Sequence, residues 1–335
     1  TLSSSSAASD VYKRQKLEEI RSLCDSATIL RLGKVVGECA PAERSARELA
    51  EMMVGTTLHT PSRPALSPGK PVLEVRDLTL SSQAAFGTTL RGVTFTVREG
   101  EILGIGGVAG NGQDELLAAL SGEARSAGQS VLLESMPIGA MGPEERRARG
   151  LLSAPEERLG HAAVPEMSLT ENALLTGSTR ENLLRNGFID WSRTRSFAAR
   201  IIGDFAVRTP GTETAARALS GGNLQKFVIG REVLQSPRAL IVNQPTWGVD
   251  AAAAAAIRQS LIDLAAGGAA LVVISQDLDE LMEIADRFAA LNEGRLSEPR
   301  PTQGLTIEEI GLMMGGAHGM RPADPDASEV LHDPA

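Results

Sequence analysis

The feature that most constrains this chain is a repeat within it. Leu17–Gly55 aligns without a gap onto Leu278–Gly316 at a constant offset of 261, with nine identical pairs among 39 positions. The pairs include Leu17 with Leu278, Asp25 with Asp286, Leu30 with Leu291, Gly33 with Gly294, and Met52–Met53 with Met313–Met314. An ungapped match ending on a shared Met-Met-x-Gly reads as duplication, and a duplication sets the architecture before any local signal does. Residues 16–58 then read as the tail end of a first domain whose body lies upstream. His59 to Pro71, with Pro61, Pro64, Pro68 and Pro71, reads as a stiff extended linker. Residues 72–316 read as a complete second domain, and 317–335, polar and bearing Pro and Asp, as a disordered tail. The serine-rich, aperiodic stretch 1–15 reads as a non-native lead and is set aside.

Composition narrows the function classes. The net charge of −9 argues against nucleic acid as a partner, because neutralising phosphates takes a basic face. Cys24 and Cys39, with no His near them, make neither a disulfide framework nor a zinc site. No apolar run reaches the length of a membrane span, so membrane contact is expected to go through partner subunits.

Within 72–316, Val72–Leu80 alternates as an edge strand would, and Val93–Val97 reads as its antiparallel neighbour. A buried strand, Glu101–Ile105, then enters the glycine-rich loop Gly107, Val108, Ala109, Gly110, Asn111, Gly112, Gln113, Asp114 and a helix from about Glu115. Later segments alternate: helix Asn223–Leu234, strand Ala239–Val242, Ala-rich helix Ala251–Ala265, strand Ala270–Ile274, helix Leu278–Ala285. Strands alternating with helices predict an α/β fold with a mainly parallel, covered sheet.

Two motifs carry chemistry. The glycine loop, between a strand and a helix, is a phosphate cradle of backbone N–H groups. It departs from the phosphate-loop pattern at Gln113, where a Lys would reach the phosphates, and at Asp114, where a hydroxyl would ligate Mg²⁺. The other motif is Leu219, Ser220, Gly221, Gly222, Asn223, with Gln225 and Lys226, at the start of an amphipathic helix. Two glycines and a hydroxyl there present N–H groups and a dipole to an anion, although Ser220 also reads simply as an N-cap. Downstream, a strand ends in Asn243, Gln244, Pro245, Thr246, Trp247, Gly248, Val249, Asp250.

In this order the motifs of residues 72–316 resemble the ATP-binding-cassette (ABC) family, P-loop NTPases with an antiparallel β subdomain and a helical subdomain, the latter at about 123–217. The wording Gly-Val-Ala-Gly-Asn-Gly-Gln, Pro-Glu-x-Arg at 155–158 and Gly-Gly-Asn-x-Gln-Lys is most similar to the C-terminal cassette of fused, two-cassette importers of simple sugars and nucleosides. The resemblance implies a first-cassette remnant at 16–58. It places the Mg²⁺-holding acid at Asn243, the catalytic carboxylate at Gln244 and the switch histidine at Gln276, all uncharged here. The γ-phosphate-sensing loop falls near Glu156, the cassette-bridging acid is Asp250, and Phe86 is the candidate for adenine stacking.

Phosphoryl transfer depends on charge neutralisation by Lys and Mg²⁺ with a positioned water. Its loss at Gln113, Asn243, Gln244 and Gln276 predicts a degenerate site, and hence inactivity of this fragment alone. ABC sites are implied to lie between cassettes, so Leu219–Gly222 would complete the ATP and Mg²⁺ site of the first cassette. The implied partners are that cassette, transmembrane permease subunits and, indirectly, a solute-binding protein, at the cytoplasmic face of the inner membrane. The competing reading is a regulatory or structural cassette not coupled to transport.

Overall fold

The computed structural model describes residues 16–31, 33–55, 68–82 and 87–316. The lead 1–15, most of the Pro-rich linker, Phe86 and the tail 317–335 lie outside them.

The chain begins with α1 (Lys16–Leu23), β1 (Ala27–Arg31), β2 (Lys34–Cys39) and α2 (Ala46–Val54). Among the described residues, β1 and β2 pair only with each other, as an antiparallel hairpin. α2 begins with a capping box, in which Ser45 Oγ accepts from the Glu48 N–H and the Glu48 carboxylate accepts from the Ser45 N–H.

β3 (Pro71–Leu80), β4 (Leu90–Arg98) and β5 (Ile102–Gly106) lead to α3 (Gln113–Ser121); β6 (Val131–Leu133), β7 (Met136–Pro137), α4 (Pro143–Arg149) and β8 (Leu151–Ala154) follow. A largely helical stretch holds α5 (Leu169–Gly177), the short strands β9 (Leu184–Arg185) and β10 (Phe188–Ile189), α6 (Trp191–Asp204) and α7 (Gly221–Val233). The chain returns through β11 (Ala239–Asn243), α8 (Ala251–Ala266), β12 (Ala270–Ser275), α9 (Leu278–Ile284), β13 (Arg287–Asn292), β14 (Arg295–Leu296), β15 (Arg300–Pro301) and α10 (Ile307–Met314).

The central sheet runs β14-β13-β5-β12-β11-β8, parallel from β13 to β8, with β14 and β15 antiparallel on β13. Its inner strands are near-continuous apolar runs such as Ala270-Leu-Val-Val-Ile, as a sheet covered on both faces requires. One face packs Ile257, Leu261 and Ile284 beneath α8 and α9. The other packs Leu116 and Leu120 of α3 together with the inward residues of β3 and β4.

The second sheet is antiparallel, in the order β4-β3-β6-β7. β3 therefore lies inside it rather than at its edge, because β6 takes the flank that alternation alone left open. β6 and β8 also fall within the range expected to be helical, yet both join sheets outside it; the helical part is carried by α5, α6 and α7 around Leu169, Phe197, Ile201 and Phe227.

The repeated segments share their build. Helix, strand pair and capping-boxed helix recur, with Thr306 and Glu309 at α10 in the places of Ser45 and Glu48 at α2. β13, however, is paired into the central sheet, whereas β1 is paired, among the described residues, only to β2.

Candidate functional site

The glycine loop leaves the carboxyl end of β5 and enters α3, in the crevice where doubly wound sheets bind ligands. Gly107 is required by close approach, since a Cβ would sit 2.5 Å from the Leu291 carbonyl oxygen. Gly112, at the N-cap of α3, has φ +110° and belongs to the left-handed region that glycine alone occupies cheaply. Asn111 anchors the loop to β13: its Oδ1 accepts from the Glu293 N–H at 2.8 Å and its carbonyl from the Gly294 N–H at 3.0 Å.

Gln113 closes the cradle on itself. Its side chain is buried, with Nε2 donating to the Val108 carbonyl at 2.9 Å and Oε1 accepting from the Asn111 N–H at 3.0 Å. An ammonium can make the first bond but never the second, having no acceptor. The amide thus satisfies an N–H that a phosphate would otherwise take.

Asn243, at the end of β11 and 2% exposed, donates from Nδ2 to Asp114 Oδ1 at 3.3 Å, so strand and helix meet directly. Asn243 Oδ1 is buried without a hydrogen-bond partner among the described residues. Glu156, half-buried nearby, has its carboxyl pushed above the usual glutamate value, first by burial and then by the Asp114 charge, with Arg158 acting weakly the other way. Two carboxylates, those of Asp114 and Glu156, therefore stand near the glycine loop.

Gln244 and Gln276, the positions expected from the resemblance to be catalytic, are both uncharged. Gln244 is buried and strained at φ +53°, its N–H donating to the Ile274 carbonyl at 2.8 Å and its Oε1 accepting distantly from the Gln276 N–H at 3.5 Å. Gln276 itself is exposed. Neither amide can take a proton from a water at neutral pH.

The signature loop presents a different face. Ser220 stands at the N-cap of the 13-residue α7 with extended backbone, but its hydroxyl makes no capping bond. Its Oγ instead accepts from Asn223 Nδ2 at 2.9 Å, and Asn223 Oδ1 accepts from the Arg208 N–H at 2.8 Å. The N-cap reading thus holds for position and fails for the bond: Asn223 competes for the hydroxyl, and the side chain of Ser220 does not satisfy the first N–H groups of α7. Ser220 and Gly221 are exposed. Gln225 points inward, its Nε2 donating to the Pro245 carbonyl at 2.9 Å, so it ties α7 to the loop after β11 rather than facing an anion. Asp250 is exposed and caps α8, its Oδ1 accepting from the Ala253 N–H at 2.8 Å.

A cleft of about 990 Å³ joins the two regions, lined by Asp114 and Glu156 on one side and Leu219, Gly221, Trp247 and Gly248 on the other. Arg158 lines the same cleft. Sequence reasoning gave Arg158 no role; nothing in residue spacing says how far its side chain reaches. It also missed Arg146, fully buried, which donates to the Ala119, Leu120 and Gly139 carbonyls at 2.6–2.8 Å and so closes the C-terminal end of α3.

Residues 90–247 match the family model described as ABC transporter. The chain is similar to the nucleoside import ATP-binding protein NupA of Lactococcus lactis subsp. cremoris, 34% identical over 304 residues, covering 90% of this chain and 60% of that protein. It is similar also to the ribose import ATP-binding protein RbsA 1 of Rubrobacter xylanophilus, 36% identical over 310 residues, covering 92% and 60%. The chain spans about three-fifths of the length of these curated relatives. A solved ATP-binding subunit of an ABC transporter superposes with TM-score 0.58 at 22% identity, over 73% of this chain and 99% of that one. A dimeric ATP-binding cassette bound to ADP and Pi superposes with TM-score 0.58 at 19% identity, over 70% and 100%. With residues 90–247 similar to that family model, the chain has the P-loop NTPase fold of ATP-binding cassettes, a covered parallel sheet with an antiparallel β subdomain.

Proposed function

We propose that this chain is the ATP-binding part of an importer of simple sugars or nucleosides, and that its signature loop acts on a nucleotide held by another cassette. The observation that carries the reading is a contrast within one domain. Gln113 fills the chain's own cradle and Asn243 pairs with Asp114, while Ser220 and Gly221 stand exposed at a helix start whose hydroxyl caps nothing.

In this reading ATP and Mg²⁺ sit on the opposing cassette, where Mg²⁺ supplies charge neutralisation of the phosphates. Gly221 and Gly222 N–H groups and the α7 dipole stabilise the γ-phosphate, Ser220 donates its hydroxyl, and Asp250 bridges the two cassettes. The opposing cassette is the first cassette of a longer chain, and 16–58 is its tail. The shared build of the repeats supports this, as do Leu30, Val35 and Val36, exposed on a hairpin whose counterpart strand is paired into a full sheet. The permease docks on the helical part, where Leu184, Phe188, Ile189 and Trp191 are exposed, and the solute-binding protein is reached only through the permease. The protein works peripherally at the cytoplasmic face of the inner membrane, with no nucleic-acid partner; no helix among the described residues is long and apolar enough to cross a membrane. The likeness to both ribose and nucleoside import proteins supports the substrate class.

The test is made on the two-cassette protein with its permease. Ser220→Arg is expected to lower ATP turnover about 100-fold or more, as losing transition-state contacts does, whereas Gln113→Ala changes it less than about threefold. Equal losses from both would refute the asymmetry.

A further inference from the structure

The segment Pro155–Arg158 touches both sides of the cleft. Glu156 lines the cleft together with Asp114. Arg158, two residues on, reaches the other way: an Nη2 N–H donates to the Trp247 carbonyl. Its guanidinium also lies against two glycines. A Cβ on Gly221 would collide with Nη1, and one on Gly248 would sit 2.7 Å from Nη2. One side chain thus contacts the first residue of α7 and the turn that carries Gln244 to Asp250.

We infer that Arg158 is a positioning residue that locks the signature loop to the 244–250 turn. Two of the turn's ties differ in kind. Gln225 holds Pro245 from within α7, buried and 1% exposed, and moves only with that helix. Arg158 holds Trp247 from the 155–158 segment, outside that helix. The chemistry suits arginine rather than lysine: a planar fork can donate to a carbonyl while its face lies flat on glycine backbone, and a point ammonium cannot do both. The consequence for turnover rests on the proposed function; the geometric claim does not.

Two measurements separate these. Hydrogen exchange on the chain itself reads the amides of Leu224, Trp247 and Val249, whose bonds to the Ser220, Gln244 and Thr246 carbonyls measure 2.9, 3.2 and 3.4 Å. Arg158→Met is expected to speed their exchange about tenfold or more, with Ala254 in α8 unchanged, because only the local unit loosens. Unchanged exchange at all three amides overturns the inference, whatever turnover does. In the two-cassette protein with its permease, Arg158→Met and Arg158→Lys are each expected to lower kcat about 10- to 100-fold with KM for ATP within about twofold, as misplacement of a transition-state group does. Full activity of Arg158→Met beside an inactive Ser220→Arg would overturn the inference and leave the proposed function standing. An active Ser220→Arg would refute the proposed function instead, and the exchange data would still decide the role of Arg158.

Discussion

At position 113 the difference between an amide and an ammonium decides what the glycine loop can hold. Gln113 both donates to Val108 and accepts from Asn111, so the loop is satisfied without an anion. Gln113→Lys removes the acceptor, frees the Asn111 N–H and restores a cation. Binding of a fluorescent ATP analogue should tighten about tenfold, ~1.4 kcal/mol, while turnover stays at background because Gln244 and Gln276 remain. Glu156 gives a pH signature. Its folded pKa lies above the ordinary 4.5, so its charged form costs stability, and that cost is absent once the pH falls below the ordinary value. Glu156→Gln should therefore melt higher than wild type at pH 7.5, and the gap should close toward pH 4; thermal melts across that range check it. The gathering of Gln113, Asp114, Asn243 and Gln244 around one loop was legible because each lies at a fixed step from a glycine or proline mark. That Asn223 takes the Ser220 hydroxyl, or that Arg158 reaches Gly221, was not, since rotamers and long-range approach leave no trace in spacing.

Elements were legible where periodicity was strong and misplaced where pairing was long-range. β5, β11, β12 and α8 lie within one or two residues of the expected bounds, since apolar runs and an Ala-rich helix carry their own signal. β3 was expected at an edge because alternation reports one wet face and not which strands flank it. The end of α3 rests on Arg146, whose guanidinium, its pKa lowered by burial to about 10, satisfies backbone carbonyls that nothing else nearby in sequence would suggest. Arg146→Met strands those acceptors and should cost about 3 kcal/mol, read as a lower denaturation midpoint with unchanged m. The capping box at α10 is a smaller contributor: Thr306→Ala should cost about 1 kcal/mol in the same assay.

Across the whole molecule, one buried charge network joins the helical part to the catalytic layers. Arg231, 2% exposed, donates to the Asn172 and Ala162 carbonyls and to Glu232, which also pairs with Arg147 of α4. Burial alone would raise the Glu232 carboxyl, but Arg147 and Arg231 outweigh it and hold it below the usual range. Its contribution is present above the ordinary glutamate value and lost as the pH falls through the depressed one, so Glu232→Gln should be destabilised at pH 7 and approach wild type in acid. The repeat at offset 261 was the largest-scale fact legible in the sequence, and the matching caps at Ser45 and Thr306 give it a shape. What the whole molecule does depends most on whether its own cradle turns over ATP. The direct measurement is single-turnover hydrolysis by this chain alone with saturating Mg²⁺–ATP: the account predicts weak binding and no phosphate release above background. Phosphate release that scales with protein concentration and vanishes in Gln244→Ala would contradict it.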